Sequence, residues 1–301
     1  MTRTVRLAVP RKGRPLEAVL DRLAGIADAA PVADDVISTL RYEKAVTKDR
    51  QTADRDVYDR LAAYSDLSDP YSPDYTLLRD DREGKPRRVV FDSLTLPLDG
   101  VDVQLIGREE PFRALRTHEF ALGFDSADLV LEEVVGLRPE PLSSIADLNA
   151  RIDPHDTDVR VVSGLGDTVY HTLMATPETR SDGPTDELTR AFVDAYDGDL
   201  CISPRYERLV EAVLGTDATE SLSFCYPDEG DTEEAAIAEA GLGVYLTVTG
   251  STARDHGLVL GERLFPSETV LMENVSEGGT AVDRVKDELA VREQDSALVV
   301  Q

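Results

Sequence analysis

The sequence predicts an α/β protein in which helices cover the faces of parallel or mixed sheets. Stretches with the two-residue alternation of strands are followed, along the whole chain, by stretches with helical spacing. Residues 101–133 contain two strand-like segments joined by a short helical one, and such β-α-β units require parallel strands. The length of 301 residues corresponds to about two average domains, and 41% hydrophobic residues suffice to build their cores.

The first 26 residues predict a strand, a basic loop and a helix. Val5, Leu7 and Val9 alternate with other residues, as in a strand. Pro15 is typical of the start of a helix. The positions after it keep helical spacing: Leu16, Val19, Leu20, Leu23 and Ile26.

The segment 42–98 has a weak pattern and many turn-forming and charged residues, as in "DLSDPYSPDY". We interpret it as an excursion on the surface of the protein. It is expected to contain a helix near Val57–Tyr64 and a strand at Val89–Phe91.

The clearest unit follows at residues 101–133. Val101–Ile106 is predicted to be a strand, and Pro111 to open a short helix. Phe120–Phe124 is predicted to be the next strand, and Ser126 to cap a helix over Ala127–Glu133.

The second half continues the alternation after a linker at 137–158 that holds one or two helical turns. A strand-like stretch runs from 159 to 175. Further predicted elements are helices at Asp186–Tyr196, Arg205–Leu214 and Thr232–Ala240, strands at Asp199–Ser203, Leu222–Tyr226, Leu242–Val248 and Glu268–Glu273, and a terminal helix over 283–293.

The charge excludes one class of partner. The formal net charge of −27 leaves no basic footprint, so nucleic acid is not expected as a partner, and an anionic membrane is not favoured either. Such an acidic chain suits a cytoplasm of high salt, where repulsion between charges is screened. The N-terminus lacks the apolar core of a signal peptide, and no stretch approaches the ~18 apolar residues of a membrane span, so we expect a cytoplasmic protein.

Metal ligation by the protein is not predicted. Cys201 and Cys225 form no C-x-x-C motif, and no two of the four histidines are four residues apart. No serine or cysteine has an evident base as partner, so a nucleophilic mechanism is not indicated.

Thr249, Gly250, Ser251 and Thr252 form the most suggestive turn, between a predicted strand and a helix predicted to start near Ala253. Amides at a helix start are unpaired and carry partial positive charge, and glycine allows close approach of an anion. A phosphate could bind here. An ordinary helix cap by Ser251 or Thr252 explains the same residues.

Three other motifs could contact a ligand. "RKGR" at Arg11–Arg14 is a tight basic cluster that suits phosphate, although it could also balance nearby acids. "SGLGDTVY", with Gly164 and Gly166, indicates a tight bend more than a dinucleotide fingerprint. Ser203 precedes Arg205 at a helix start. We interpret this position first as the cap of the helix and only second as a contact with a ligand.

In order, these pieces resemble ATP phosphoribosyltransferase, the first enzyme of histidine biosynthesis. "VPRKGRPLE" is similar to the family's P-x-K-G-R opening, and "LCISPRYERLVEAVLG" to its I-A-T-x-Y-P segment. "SGLGDTVYHTLMATPE" resembles its crossing segment. "TVTGSTARDHGLVL" resembles S-T-G-T-T-L, and "SETVLMEN" ends the match. The resemblance spans most of the chain, with 42–98 and 137–158 as insertions.

The resemblance implies a two-lobed fold of the type II periplasmic-binding kind with a cleft between the lobes. Lobe I would be 1–160 completed by 265–301, and lobe II would be 161–264. Phosphoribosyl pyrophosphate would place its 5′-phosphate on Thr249–Thr252, and Mg²⁺ would assist pyrophosphate as the leaving group. Lys12 and Arg14 would be the catalytic cations. Other residues implied to face the nucleotide or the cleft are Gly13, Asp128, Gly164, Gly166, Ser203 and Arg205.

The chain departs from the family pattern at acidic positions. Tyr245 and Val248 stand where the family has acids before its phosphate loop, and Ala121 replaces the aspartate of D-x-G. About 27 residues follow "MEN", too few for the long form's regulatory domain. The alternatives are therefore a phosphoribosyltransferase using ATP or a related acceptor, and a non-catalytic binder of a phosphorylated ligand. The third alternative is a structural α/β protein that binds no ligand. A homo-oligomer is expected, with a helper subunit as a further possibility.

Overall fold

The computed structural model describes residues 3–27, 29–66, 68–79, 87–98, 100–136, 145–185, 187–228 and 232–290. The chain divides into two compact units. Unit 1 contains the described residues of Met1–Ser126, Pro154–Asp167 and Thr269–Ala297, and unit 2 contains those of Ala127–Asp153 and Thr168–Glu268.

Strands and helices alternate as the sequence predicts. In the first half they are β1 (Arg3–Pro10), α1 (Gly13–Ile26), α2 (Ala30–Thr47), α3 (Val57–Tyr64), β2 (Asp74–Arg79), β3 (Arg87–Leu98), β4 (Val101–Arg108), α4 (Pro111–Arg116), β5 (Leu122–Ser126), α5 (Ala127–Glu133) and α6 (Ile145–Ala150).

The second half begins with two strands that belong to different units. Its elements are β6 (Val159–Gly164), β7 (Val169–Ala175), α7 (Pro177–Asp182), α8 (Arg190–Asp194), β8 (Asp199–Ile202), α9 (Glu207–Leu214), α10 (Thr216–Thr219), β9 (Ser223–Cys225), α11 (Glu233–Ala240), β10 (Leu242–Thr247), α12 (Ser251–Asp255), β11 (Val259–Ser267), β12 (Thr269–Asn274) and α13 (Thr280–Leu289).

Unit 1 is built on a seven-stranded mixed sheet with the order β2-β3-β4-β1-β5-β12-β6. β1 pairs in parallel with both β4 and β5, so the predicted β-α-β unit is present with β1 inserted between its strands. The other pairs of this sheet are antiparallel, because β2 and β3 form a hairpin and β12 returns between β5 and β6.

The core of unit 1 forms where α1 and α2 cover this sheet. Leu7, Leu105 and Phe124, on three neighbouring strands, are fully buried. Leu16 and Leu20 of α1 are buried against them, which is what the helical spacing of this segment predicts.

Unit 2 has a five-stranded sheet with the order β11-β7-β10-β8-β9. β7 pairs antiparallel with β10 and β11, whereas β8 pairs in parallel with β10 and β9. Met174, Cys201 and Ile237 lie in one of its buried apolar clusters. The predicted fold class is confirmed: the chain is α/β, with two mixed sheets and helices packed on them.

Three sequence-based expectations are wrong in detail. The segment 42–98 is no surface excursion, because β3 runs over twelve residues and buries Phe91 and Leu94 in the core. The stretch 159–175 is two strands, which separate at a bend where Gly166 has a φ of +79°. The sequence analysis also did not predict four of the observed elements, which are β2, α2, α7 and β11.

The two units and the predicted lobes divide the chain at different residues. The described residues of 127–153, together with 265–268, belong to unit 2 although the prediction assigns them to lobe I, and residues 161–167 belong to unit 1 although it assigns them to lobe II. The cleft between lobes stays a prediction. Parts of the predicted linker (137–144), Asp186 and the end of the predicted last helix (291–293) lie outside the described residues. Among the described helices, none has the length and hydrophobicity that crossing a bilayer requires.

Candidate functional site

The Thr249–Thr252 turn joins β10 to α12 in unit 2. Gly250 precedes the helix with φ 69° and ψ 13°, in the left-handed region. The helix begins at Ser251, two residues before the predicted start, and its first turn closes when the Arg254 amide donates to the Gly250 carbonyl at 3.1 Å. The amides of residues 251–253 precede that bond, so they have no acceptor within the helix.

The hydroxyl groups of this turn lie next to those amides. Thr249 Oγ1 and Ser251 Oγ are 3.0 Å apart, and the Ser251 amide donates a long hydrogen bond of 3.4 Å to Thr249 Oγ1. The side chains of Thr249, Ser251 and Thr252 are exposed. The turn therefore presents hydroxyls and the start of a helix to solvent, which is the arrangement that an anion needs.

Arg254 adds a cation that the sequence analysis missed. Its Nη2 donates to the Thr249 carbonyl at 2.9 Å, so the guanidinium lies beside the turn. The signal was present in the sequence, because an arginine three residues into a short helix can return to the loop that precedes it.

Gly250 is required by space as well as by its backbone conformation. A Cβ at this position would lie 2.3 Å from Leu260 Cδ1 and 3.2 Å from Arg254 Nη1. A side chain here would thus displace Leu260 and strain the loop. It would not point into the space through which an anion reaches the turn.

Gly250→Ala is therefore expected to lower the free energy of unfolding by about 2–4 kcal/mol. The left-handed conformation costs an alanine ~1–2 kcal/mol, and overpacking adds ~1–3 kcal/mol. Chemical denaturation measures the loss. Gly257→Ala is the matched control, since φ is +75° there but nothing lies within 4 Å of the added Cβ. Equal losses in both variants would show that Leu260 does not constrain the turn.

Lys12, Gly13 and Arg14 lie at the start of α1 in unit 1. Lys12 Nζ is 3.3 Å from Glu109 Oε2, and both side chains are exposed. Gly13 has a φ of +81°. Arg14 Nη1 donates to the backbone carbonyl of Asp167 at 2.7 Å and to its carboxylate.

The contact of Arg14 with Asp167 joins two predicted motifs within unit 1. Asp167 follows the Gly164–Gly166 segment directly, and its carboxylate also accepts hydrogen bonds from the amide and the hydroxyl of Thr269, each at 2.7 Å. Sequence reasoning missed Asp167. Its only signal was an acid immediately after the two glycines.

Asp128 lies inside unit 2, where its side chain is 2% exposed. His171 Nε2 donates to its Oδ2 at 2.9 Å, and Tyr206 and Ser267 also donate to the carboxylate. Burial alone would raise the pKa of Asp128, but these hydrogen bonds and the charge of His171 outweigh it and lower the pKa. The carboxylate is thus bonded within the protein, and its predicted contact with a nucleotide stays a prediction.

The His171 ring is held by aromatic neighbours. It stacks on Phe265 with ring centroids 4.3 Å apart and meets the edge of Tyr206 at 4.8 Å. Tyr206 ends a short 3₁₀ turn, Pro204–Tyr206, that Ser203 caps by accepting from the Arg205 amide at 3.4 Å. The structure therefore brings the Ser203–Arg205 segment close to Asp128.

The positions where acids were expected before the turn are occupied differently. Val248 is 73% exposed. Tyr245 is half-buried, and its pKa is raised by burial and by the charges of Glu233 and Glu234 on α11, with a hydrogen bond to Glu233. Carboxylates therefore lie near Tyr245, although they come from another element.

A metal site made by the protein alone is not evident. Across the described ranges, no group of three or more His, Cys, Asp or Glu side chains could hold a metal ion. Mg²⁺ can nevertheless bind with one or two carboxylates when substrate phosphates supply other ligands.

The comparison with protein families settles the resemblance. Residues 1–300 match the family described as halobacterial ATP phosphoribosyltransferase. The chain belongs to this family. The individual roles of the Thr249–Thr252 turn and of the "RKGR" segment stay predictions.

Two solved structures that are similar to this family member have low sequence identity to it. The ATP phosphoribosyl transferase (HisG:HisZ) complex from Thermotoga maritima is 13% identical, with 95% of this chain and 96% of that chain covered and a TM-score of 0.41. YhfZ from Shigella flexneri is 8% identical, with 97% and 86% covered and a TM-score of 0.41. A search of curated proteins finds no match.

Proposed function

We propose that this chain transfers the phosphoribosyl group of phosphoribosyl pyrophosphate to ATP and releases pyrophosphate, the first step of histidine biosynthesis. Membership of the halobacterial ATP phosphoribosyltransferase family over residues 1–300 is the observation that carries the proposal. The solvent-facing turn at Thr249–Thr252 supports it, because it offers a place for a phosphate.

The chemistry requires positioning and electrostatics more than covalent catalysis. Displacement at the anomeric carbon of the sugar passes through a cation-like state and expels pyrophosphate. The turn would hold the 5′-phosphate through the amides of residues 251–253 and the hydroxyls of Ser251 and Thr252. Arg254 would add a charge-assisted contact from the side of the turn.

Lys12 and Arg14 would serve the other anionic groups of the substrates. Asp167 orients Arg14, and the planar guanidinium matches the geometry of a phosphate. Lys12 is exposed and its contact with Glu109 is weak, so a phosphate could replace the carboxylate.

Mg²⁺ belongs to the proposal as the companion of phosphoribosyl pyrophosphate. When bound, it would neutralise the charge that develops on the leaving pyrophosphate. The described residues hold no protein-only cluster for it, so it would arrive with the phosphates of the substrate.

A non-catalytic binder of a phosphorylated ligand is the second candidate. Tyr245 and Val248 replace the acids that could orient the ribose hydroxyls, which favours binding without turnover. In the catalytic proposal, Glu233 beside Tyr245 would have to supply this contact from α11. A homo-oligomer or a helper subunit is compatible with both candidates.

We expect pyrophosphate to be released when ATP, phosphoribosyl pyrophosphate and Mg²⁺ are mixed with the protein, and a coupled pyrophosphate assay measures it. The non-catalytic candidate predicts no release, but stabilisation by phosphoribosyl pyrophosphate of about 2.7 kcal/mol at 100 times its dissociation constant. Absence of both signals, with the protein folded, would contradict both candidates. Glu233→Gln should lower the rate of release without abolishing the thermal shift.

A further inference from the structure

Unit 2 brings the two cysteines of the chain together. The sequence contains only these two, Cys201 and Cys225, and both are free thiols. They lie on neighbouring parallel strands, and the register of β8 and β9 places one directly opposite the other. Two residues of a rare type, separated along the chain by α9 and α10, therefore meet at one pair of positions.

The two thiols are hydrogen-bonded to each other. Neighbouring strands are ~4.8 Å apart, which falls within the ~4.4–6.8 Å over which a disulfide spans two Cα atoms. The Cys201 S–H donates a hydrogen bond to the Cys225 sulfur, so no other group separates the two thiols. The backbone spacing and this contact are the starting geometry of a disulfide.

The two thiols differ in access. Cys201 is 1% exposed and lies in the apolar cluster with Met174 and Ile237, whereas Cys225 is half-buried at the border of that cluster, on the edge strand β9. A small oxidant therefore reaches Cys225 first. Burial raises the pKa of both thiols, that of Cys201 to about 12, so the pair reacts slowly and is not suited to be a catalytic nucleophile.

We propose that Cys201 and Cys225 form a reversible disulfide when the protein meets a peroxide. An oxygen atom of hydrogen peroxide is transferred to the Cys225 thiol, which becomes a sulfenic acid, and one water is released. The Cys201 sulfur then attacks the Cys225 sulfur, its proton leaves with the hydroxyl group as a second water, and the S–S bond forms. Two thiols and one hydrogen peroxide thus give one disulfide and two waters.

The register makes this bond easy to reduce. In-register parallel side chains hold their Cβ atoms nearly as far apart as the strands, at ~4.8 Å, whereas a disulfide prefers ~3.5–4.5 Å. β9 is three residues long and forms the edge of the sheet, so it can move toward β8, and that movement strains it. Strained disulfides are reduced readily and are typical of regulation. The site goes beyond the proposed function, because it holds whether or not the chain is catalytic.

Thiol counting by mass spectrometry tests the proposal on the folded, full-length protein. After hydrogen peroxide, an acid quench and unfolding in excess N-ethylmaleimide, the chain is expected to carry no maleimide. Its digest should contain one product that joins the peptides of Cys201 and Cys225. Dithiothreitol, added to the folded protein before the quench, should restore two maleimide adducts.

Four results of this experiment would overturn the proposal. Two maleimide adducts after peroxide would show that the pair does not react. Sulfinic or sulfonic acids in place of the linked product would show that the second thiol does not capture the sulfenic acid, and a disulfide between two chains would show that the pair is not the product. A linked product that dithiothreitol reduces only after unfolding would overturn its reversibility.

Two variants separate the roles of the thiols. In Cys201→Ala, which keeps the buried position apolar, peroxide should leave a sulfenic acid on Cys225 that dimedone traps. Its dimedone labelling should exceed that of the wild type at least ~10-fold, because an adjacent thiol reacts far faster than one in solution. In Cys225→Ser, Cys201 should resist the same treatment, since it is 1% exposed. Equal labelling of Cys201→Ala and the wild type, or rapid oxidation of Cys201 in Cys225→Ser, contradicts the proposed sequence of steps.

Discussion

Replacing His171 by alanine is expected to lower the free energy of unfolding by about 3–5 kcal/mol. The Asp128 carboxylate is 2% exposed, and His171 donates to it at 2.9 Å. Removing one member of a buried pair leaves a charge without its partner, and that costs ~3–5 kcal/mol. The substitution also leaves a space beside Phe265, on which the ring stacks. Chemical denaturation at constant salt measures the difference.

His118→Ala provides the matched control. His118 is also paired with a carboxylate, Glu277, at 3.1 Å, but both side chains are more than 40% exposed. Exposed pairs contribute ~0–1 kcal/mol. A loss for His171→Ala no larger than for His118→Ala would contradict the importance of the buried pair.

The same pair predicts how stability depends on pH. Burial would raise the pKa of Asp128 in the folded protein. The charge of His171 and the hydrogen bonds from His171, Tyr206 and Ser267 outweigh burial, so the pKa is lowered. The stability that the Asp128 carboxylate contributes is therefore fully present when the pH is above its ordinary pKa near 3.8. This stability is lost as the pH falls through the lowered pKa of the folded protein. Asp128→Asn keeps an acceptor for His171 but cannot titrate. Its denaturation midpoint should fall less steeply below pH 4 than that of the wild type.

Local patterns predicted the elements that carry local signals. The alternation of Val5, Leu7 and Val9 specified β1, and the strand, glycine and hydroxyl sequence at 246–252 specified the turn before α12. Each signal depends on residues within one turn or strand, so tertiary contacts were not needed to interpret it.

The missing parts depend on contacts distant in the sequence. The length of β3 was underestimated because charged residues precede Val89 and Val90 in the sequence. The sheet nevertheless buries these two valines. The pairs Arg14–Asp167 and Asp128–His171 join motifs that look independent along the chain. A carboxylate that seemed available to a ligand is therefore buried, and only folding shows which acid is bonded within the protein.

Ser251→Asp is expected to weaken phosphoribosyl pyrophosphate at least ~100-fold while leaving the protein as stable as before. Ser251 is the first residue of α12, and its side chain is exposed. A carboxylate at a helix start is favourable by ~0.3–1 kcal/mol, so the fold should not suffer. The same charge would occupy the place of the 5′-phosphate and repel it, and every 1.4 kcal/mol of lost affinity is tenfold.

Thr280→Asp gives the control in unit 1, at the first residue of another helix. Thr280 begins α13 after Gly279, as Ser251 begins α12 after Gly250, and both side chains are exposed. Titration calorimetry should show unchanged affinity for Thr280→Asp and lost affinity for Ser251→Asp, with equal melting temperatures for the free proteins. Since both variants add one negative charge to an already acidic chain, general repulsion cannot explain a difference between them. Tight binding by Ser251→Asp would instead mean that the phosphate lies elsewhere, and the turn would be only a helix cap.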